Sequence, residues 1–395
     1  MKSPQILRAW FVLLLVTPFL LSIPFFSRAV AGGDASAQVS ARVESATSFQ
    51  PNRVEQLPTQ GVPMQVGPTR AVPAQAVPAQ AVARPALAEI DRVRLREVFR
   101  LGDSIGDRVW PGWSKAPFAV LLVTPDYEFL MRHPKPSADF TNLGYDKLLK
   151  QQVYYRKRVF QTHFLATFPA ISGSMISTIV VGQAENTSAK TSSQWVITVL
   201  HEHFHQLQDS QPNFYSDVNA LNLARGDQTG MWMLNYAFPY ERAEVQEQFA
   251  TMSKMLAAAI EAPKRERAQK VREYLEARRK FQEMLAPDDY KYLSFQFWKE
   301  GIARYSEYRL AEMAAAKFHV SKEFRALKDY QPFAEVARTT RERIFRQLET
   351  QKLGEAKREV VYSFGAAEGL LLDQINPGWR RRYFVEKFDL RKLYP

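Results

Sequence analysis

Five consecutive residues, His201-Glu202-His203-Phe204-His205, have the types and spacing of a metal-binding motif. They match the pattern HExxH, in which two histidines stand four positions apart. If the segment is helical, His201 and His205 lie one turn apart on the same face, and both imidazoles can reach one metal ion. Glu202 would lie beside them, where its carboxylate can take a proton from a water that the metal activates. The motif therefore predicts a metal-dependent hydrolase.

The residues around the motif favour a helix. Residues 195–200 and 206–208 are mostly apolar and contain neither proline nor glycine. On such a helix His203 points about 200° away from His201, so we expect it to pack in the core or to support a ligand rather than to bind the metal. A buried helix with a few hydrogen-bonded histidines is the alternative interpretation, but it does not explain why three of the six histidines fall within five residues.

Two histidines leave a catalytic zinc ion one protein ligand short, because such sites usually hold three side chains and a water. The chain has no cysteine, and its other histidines lie in unconvincing settings, so a carboxylate is the better candidate. Glu300 is favoured because apolar residues surround it in the segment 295–303, and a buried carboxylate needs a partner. Glu307, two turns later, could orient a ligand histidine. Two alternatives stay open. Glu241 or Glu244 could be the third ligand instead, and Glu300 could form an ion pair with Arg304 on the helix surface.

The N-terminal part of the chain predicts export. An uncharged stretch over residues 10–26 follows a basic start, and Ala29 and Ala31 supply the small residues that a signal peptidase reads. We therefore assign residues 1–31 to a signal peptide and expect a periplasmic or secreted protein; an uncleaved membrane anchor is the alternative. Residues 32–87 are rich in proline, alanine and glutamine and cannot bury a core, so they predict a disordered linker.

The basic balance of the chain indicates which surfaces it could meet. The formal net charge is +12 and the basic residues are spread along the sequence. In an exported protein this charge favours contact with anionic lipid headgroups or a cell-wall polymer. Nucleic acid is not expected as a partner, because export separates the chain from it and no base-reading motif is present.

The folded part, residues 88–395, begins with strands and continues with helices. Runs of β-branched and aromatic residues predict strands at 118–123, 127–131, 159–168 and 175–181. The first two are expected to pair as a hairpin. Apolar residues at helical spacing predict helices at 245–260, 264–285, 293–318, 333–349 and 361–375. Strands followed by helices argue for an α+β fold with a small antiparallel or mixed sheet and a mainly helical second half.

The HExxH motif and the segment around Glu300 together resemble the gluzincin branch of zinc metallopeptidases. In that family a downstream helix often has the pattern EGxAxYxE, and residues 300–307 match it. The resemblance covers residues 201–208 and 298–307, together with the order of strands and helices. It implies a zincin-like α+β domain, a zinc ion bound by two histidines and a glutamate, and a glutamate as general base. The corresponding residues are His201, His205 and Glu300 as ligands and Glu202 as the base.

One departure from the family concerns the distance between the two motifs. About 95 residues separate His205 from Glu300, far more than in the best-known members, so the helices at about 240–286 would form an inserted hairpin. By analogy, the strand at 175–181 would be the edge strand that holds a peptide. Tyr362 is the candidate donor to a reaction oxyanion, with a core tyrosine as the alternative.

The sequence therefore predicts an exported zinc metallopeptidase that acts on a peptide or protein substrate. Two alternatives stay open. The first is a non-catalytic envelope protein that uses a zincin scaffold to bind metal or a partner. The second is a zinc amidase that acts on cell-wall peptides.

Overall fold

The computed structural model describes residues 85–227 and 229–395. The predicted signal peptide and all but the last three residues of the predicted linker lie outside this part. Within it, no helix combines the length and the apolar character needed to cross a bilayer.

The strands lie in the first half of the described chain, and most of the helices follow them. The strands are β1 (Ala119–Val123), β2 (Tyr127–Met131), β3 (Thr141–Asp146), β4 (Gln151–Lys157), β5 (Leu165–Phe168) and β6 (Thr178–Gly182). The helices are α1 (Glu89–Val109), α2 (Ser192–Asp209), α3 (Phe214–Ala220), α4 (Trp232–Asn235), α5 (Ala243–Glu261), α6 (Lys264–Glu283), α7 (Pro287–Gln296), α8 (Ile302–Lys317), α9 (Lys322–Arg325), α10 (Phe333–Thr350), α11 (Leu353–Ala356), α12 (Val360–Ile375) and α13 (Trp379–Tyr383). A π-helical turn, Phe297–Gly301, joins α7 to α8.

The six strands form one mixed sheet in the order β3-β4-β2-β1-β6-β5. β1 and β2 form the predicted antiparallel hairpin, β1 and β6 are parallel, and the other neighbours are antiparallel. β6 therefore lies between β1 and β5. The prediction of an edge strand at 175–181 is wrong, because β5 turns back through residues 169–177 and pairs along the outer side of β6.

The α+β class is confirmed, but the order of its elements is not purely strands before helices. α1, a helix of 21 residues, precedes the sheet and was not predicted. β3 and β4 were not predicted either, and only the last four residues of the predicted strand at 159–168 are extended in the sheet. The predicted helix at 293–318 is interrupted by the π-helical turn.

Helix α2 occupies the centre of the fold. The Thr191 side chain accepts a hydrogen bond from the Gln194 N–H group (3.1 Å) and so caps the helix at its N-terminus. The helix packs against β5 and β6 on one side and against α1 and α8 on others, and 15 of its 18 residues are buried. Polar side chains on this helix are therefore held within the core, where each needs a partner.

The helices at the predicted insertion, α5 and α6, pack against each other and are anchored on α12. Glu368 of α12 is fully buried and pairs with Arg278 of α6 (2.8 Å). The Tyr274 hydroxyl donates a second hydrogen bond to the same carboxylate (2.6 Å). A buried pair with satisfied hydrogen bonds fixes a helix firmly, since removing either partner leaves an uncompensated charge.

Candidate metal centre

Two histidines of α2 and one glutamate of the π-helical turn meet in the core, as a group that could hold a metal ion. The Nε2 atoms of His201 and His205 lie 3.2 Å apart, and Glu300 Oε2 lies 3.6 Å and 3.3 Å from them. Tetrahedral zinc ligands at bond lengths of about 2.0–2.1 Å stand about 3.3–3.4 Å from each other. The three atoms thus have the spacing of one face of a tetrahedral site.

The hydrogen bonds around His205 determine which of its nitrogens carries the proton. Its Nδ1 lies 2.7 Å from Gln208 Oε1. The Gln208 amide nitrogen donates to the Tyr383 hydroxyl (2.7 Å) and the Lys299 carbonyl (3.1 Å), so the amide oxygen must be the acceptor. His205 Nδ1 is therefore protonated, and its Nε2 directs a lone pair towards the centre.

His201 is oriented in the same sense by Glu307, as the sequence predicted. His201 Nδ1 lies 2.7 Å from Glu307 Oε1. Burial raises the pKa of Glu307, but the positive charge of Arg304 (2.5 Å), the contact with His201 and the charge of Arg343 outweigh it and lower the pKa to about 2. An ionised carboxylate only accepts hydrogen bonds, so this short contact favours a proton on His201 Nδ1 and leaves Nε2 facing the centre.

Glu300 completes the group as an anion. Its Oε1 pairs with Arg358 Nη2 (3.2 Å), and its Oε2 has no hydrogen-bond partner among the described residues. Burial raises the pKa of Glu300, but the two ligand histidines and Arg358 hold it well below its usual range. The three inward-facing atoms thus converge on one point. A cation there, either a proton or a metal ion, balances the anionic carboxylate, and two imidazoles with one carboxylate are a donor set suited to zinc.

The contacts of His201 with Glu300 and Glu307 also determine which proton a metal ion must displace. Burial lowers the pKa of His201, but hydrogen bonds and charge from Glu300 and Glu307 outweigh it and raise the pKa to about 9. Without metal, a second proton is therefore held at His201 below pH 9. Metal binding must release that proton, so the apparent affinity for metal weakens as the pH falls below about 9.

The electrostatic support from Glu307 can be tested by Glu307→Gln. The amide keeps an acceptor oxygen for His201 but removes the negative charge, and replacing such a supporting group typically weakens metal binding about 10- to 100-fold. Competition for Zn²⁺ against a chromophoric chelator measures the loss. Glu312→Gln is the matched control, because Glu312 lies on the same helix with its side chain 43 % exposed and pairs with Tyr308 and Arg309 of that helix. Equal affinities in both variants would contradict the assigned role.

A close contact between two glycines positions Glu300. A Cβ atom added to Gly301 would lie 2.4 Å from the Cα atom of Gly365 on α12 and 2.9 Å from the Val361 carbonyl oxygen. Both obstacles are backbone atoms, which cannot turn aside. The π-helical turn therefore approaches α12 as closely as it does only because both positions lack side chains, and π-helical turns inside helices often lie at functional sites.

Gly301→Ala is therefore expected to lower the free energy of unfolding by about 2 kcal/mol or more, because the added methyl group overpacks a backbone contact. Displacement of the adjacent Glu300 should weaken metal binding as well. Chemical denaturation and Zn²⁺ titration measure the two effects. Gly106→Ala in α1 is the control: its Cβ would meet Trp113 atoms only at 3.4 Å, so a neutral or slightly stabilising effect is expected. Similar losses in both variants would contradict the proposed contact.

Glu202 lies next to the metal group without belonging to it. It is 2 % exposed, and its Oε2 lies 2.8 Å from the hydroxyl oxygen of Thr167 on β5. The same hydroxyl lies 3.0 Å from the Glu202 carbonyl oxygen; a carboxylate is the stronger acceptor of its single proton. The edge strand thus holds the carboxylate that sequence reasoning assigned as the base.

Tyr362 also lies close to the group, at the start of α12. Its ring centre is 6.3 Å from that of His201, and its hydroxyl accepts a long hydrogen bond from Arg358 Nη1 (3.4 Å). Burial raises the pKa of Tyr362, so the hydroxyl keeps its proton. The structure places a protonated donor and a buried guanidinium on the same side of the centre.

The other candidates lie outside the group. The His203 ring stacks on Phe118 with 3.5 Å between ring centres, and burial lowers its pKa to about 3, so it is a packed core residue as expected. Glu241 and Glu244 are exposed and pair with Lys357 and Arg242. The alternative pair between Glu300 and Arg304 is not formed, because Arg304 binds Glu307.

Sequence reasoning did not identify three residues that support the site. Gln208 follows His205 by three positions, a spacing that places it on the same helical face, so this signal was present. Thr167 and Arg358 lie 35 and 58 residues from the glutamates they contact, and nothing local in the sequence links them to the motif.

Comparisons of the chain with protein families, with curated proteins and with solved structures find no match. The function is therefore argued from the geometry of the centre and from the two sequence motifs.

Proposed function

We propose that the protein is a zinc-dependent peptidase with a zincin-like domain of the gluzincin type. The observation that carries the proposal is the convergence of three potential ligand atoms from His201, His205 and Glu300. A second carboxylate, Glu202, stands beside this centre on the same helix. A purely structural metal site has no need for a buried carboxylate that is not a ligand, so Glu202 supports a catalytic role.

The residues of the centre have distinct chemical tasks in this mechanism. A zinc ion held by the three ligands would lower the pKa of the attacking water and polarise the scissile carbonyl. Glu202 takes the proton from that water and then passes it to the leaving amine, while Thr167 keeps its carboxylate in place. Tyr362 and Arg358 are the candidate donors to the oxyanion that develops on the carbonyl oxygen.

The sheet edge offers a place for an extended peptide. β5 is the last strand of the sheet beside α2, and its Thr167 contacts Glu202. An added strand can bind to such an edge through main-chain hydrogen bonds. In this proposal β5, rather than the predicted strand at 175–181, aligns the substrate backbone with the centre.

Export and surface contact belong to the proposal as well. The N-terminal segment has the pattern of a signal peptide, with an uncleaved anchor as the alternative. The net charge of +12 favours an anionic membrane surface or cell-wall polymer as the working environment. Substrates would then be peptides or proteins of the cell envelope or its surroundings.

Metal depletion and reconstitution test the function. Purified protein loaded with one zinc ion is expected to cleave members of a peptide or protein library, to lose this activity after removal of zinc by a chelator, and to regain it when zinc is restored. Mass spectrometry of the products measures cleavage. If zinc-loaded protein cuts no peptide or protein, the peptidase proposal fails. Cleavage of cell-wall peptide fragments alone would instead identify the amidase alternative.

A further inference from the structure

Three arginines gather around the carboxylate that orients His201. Arg304 lies on α8, and Arg343 and Arg346 lie on α10, which packs against α8. Because Arg343 and Arg346 are three positions apart, they share one face of their helix. These three residues form the arginine cluster.

The arginine cluster carries more positive charge than its neighbouring carboxylate can offset. Arg304 Nη1 and Arg343 Nη2 lie 2.5 Å and 3.4 Å from the same atom, Glu307 Oε2. In the described part of the chain, no other carboxylate comes within ion-pair distance of Arg304 or Arg343, and Arg346 has no such partner. Three guanidinium groups therefore depend on the single charge of Glu307.

The crowding of these charges is evident at Arg343. The charge of Arg304 is the main cause that lowers the pKa of Arg343 to about 10; burial and the charge of Arg346 act in the same direction, and Glu307 opposes them. Arg343 is still protonated at neutral pH, so the repulsion between the guanidinium groups persists there. An anion placed among them would relieve it.

The cluster is open to solvent, unlike the arginine at the metal centre. The side chains of Arg304 and Arg343 are 21 % and 39 % exposed, and Arg346 is exposed. Arg358, by contrast, is 13 % exposed and pairs with Glu300. A small anion can therefore reach the cluster without displacing the pair that holds Glu300.

The donors of the cluster suit an anion with two or more oxygens. Each guanidinium presents N–H groups in a planar fork that matches the paired oxygens of a carboxylate or a phosphate group. Among the described residues, Arg343 makes one long hydrogen bond, to Glu307 (3.4 Å). Most of its donors are thus left for a ligand, and an oxyanion uses them better than chloride does.

Glu307 connects the arginine cluster to the metal centre. One of its oxygens lies 2.7 Å from His201 Nδ1, and the other contacts Arg304 and Arg343. Surplus positive charge therefore lies one residue away from a metal ligand, where it disfavours a second cation. An anion in the cluster would offset this charge, and the two binding events would then favour each other, since such coupling is reciprocal.

We propose that Arg304, Arg343 and Arg346 bind an oxyanion, a carboxylate or a phosphate group, and that this anion and the metal ion increase each other's affinity. The site follows from the arginine cluster and its contact with Glu307, so it does not depend on the peptidase function. A carboxylate could come from an acidic peptide or from a free anion in the surroundings.

The stability of the full chain in different anions tests the site. Thermal unfolding is measured while sodium acetate, or sodium phosphate, replaces sodium chloride at constant ionic strength. The wild type should show a saturable rise of the midpoint of about 2 °C or more. Arg343→Gln should lose the rise, and Arg343→Lys, which keeps the charge but not the fork, should retain part of it. Each variant is compared with itself in chloride, so its own stability cancels. No rise in the wild type, or an equal rise in Arg343→Gln, would overturn the proposal.

Arg338→Gln is the matched control for a lost charge on α10. Arg338 lies on the same helix and is 54 % exposed, but it pairs with Glu335 and Glu342. It should therefore respond to acetate and phosphate as the wild type does. Loss of the response in this control would mean that the anions act through the overall charge of the helix, which contradicts a site at the arginine cluster.

Zn²⁺ competition titration in chloride and in acetate tests the coupling to the metal. The wild type should bind zinc about fivefold or more tightly in acetate, which is the lower end of usual coupling between sites, and Arg343→Gln should bind it equally in both salts. If zinc affinity does not depend on acetate in the wild type, the coupling is refuted. A gain that persists in Arg343→Gln would mean that acetate binds the metal itself, and this also contradicts the proposal.

Peptide binding identifies the source of the anion. Calorimetry compares a peptide that contains glutamate and has an amidated C-terminus, a neutral peptide with a free C-terminal carboxylate, and a neutral amidated peptide. Tighter binding of one carboxylate peptide than of acetate, lost in Arg343→Gln, would support the site and name that carboxylate as the ligand. Carboxylate peptides that bind no tighter than acetate, and only to the wild type, would support the site as one for a free anion. Carboxylate peptides that bind Arg343→Gln as well as the wild type would contradict the site.

Discussion

Replacing Glu300 by alanine is expected to weaken zinc binding by more than about a hundredfold. Even residues that only support a ligand typically contribute 10- to 100-fold to metal affinity, and Glu300 offers one of the three candidate ligand atoms together with a negative charge. Without it, His201 and His205 offer two neutral nitrogens beside the buried guanidinium of Arg358, which repels a cation. Metal analysis of purified protein and Zn²⁺ competition titration measure the loss.

Two comparisons keep this result interpretable. Glu300→Gln preserves the shape of the side chain but not its charge, so it should lose affinity even if the alanine variant folds poorly; thermal unfolding of the metal-free proteins reports the fold. Glu241→Ala and Glu244→Ala remove the carboxylates that the sequence left open as third ligands, and both lie on the surface. If either surface variant loses zinc while Glu300→Ala retains it, the ligand assignment is wrong.

The helices with a regular apolar stripe were predictable from sequence. The bounds of α5, α10 and α12 agree with the predictions to within two residues at each end. One face of each helix packs on the core, and apolar residues therefore recur at helical spacing along that face. The hairpin of β1 and β2 was predictable for a related reason, since two apolar runs are separated by a short polar turn.

α1 was missed because polar residues interrupt its buried face. Asp91, Arg94 and Glu97 are each no more than 2 % exposed. Arg94 pairs with Glu185 (2.6 Å) and Asp329 (3.3 Å). Glu97 pairs with Arg100 (2.7 Å) and accepts a hydrogen bond from the Ser321 hydroxyl (2.9 Å). Asp329 and Ser321 are more than 220 residues away from these partners in the chain. A local pattern cannot distinguish such a face from a solvent-exposed one, because burial of the polar groups depends on tertiary contacts.

The order of strands in the sheet also depends on tertiary contacts that a local sequence pattern does not reveal. β5 and β6 were both placed near their true positions in the chain, but the edge was assigned to the wrong one. Which strand lies outside depends on how the chain leaves β4, forms β5 at the edge and then turns back to place β6 between β5 and β1. This crossover is a property of the whole sheet, so no single run of residues encodes it.

The three candidate ligands were predictable because helical geometry converts spacing into proximity, whereas most of the residues that support them were not. The spacing of four residues brings His201 and His205 onto one helical face, and the spacing of seven does the same for Glu300 and Glu307. Arg358 follows Lys357, a residue with a positive φ of 48°. A non-glycine residue in this conformation is uncommon and has no reliable sequence signature. The chain turn that delivers Arg358 to Glu300 was therefore visible only in the structure.

Replacing Glu202 by glutamine is expected to reduce hydrolysis by about 10²- to 10⁴-fold, the usual contribution of a general base, and to leave zinc bound at one ion per chain. The amide has the size of the carboxylate and can still accept a hydrogen bond from the Thr167 hydroxyl, but it cannot take a proton from water.

Thr167→Val is the graded comparison. It keeps the carboxylate but removes the hydrogen bond that holds it (2.8 Å), so a smaller loss of rate is expected. Thr167→Ser restores a hydroxyl and should recover the rate. Rates on a cleaved peptide and zinc stoichiometry are measured together. Loss of zinc in Glu202→Gln would assign Glu202 to metal binding, and full activity would place the base elsewhere. A loss of rate at constant zinc content distinguishes a catalytic centre from a metal site that only stabilises the fold, because only the reaction requires a carboxylate that touches no metal.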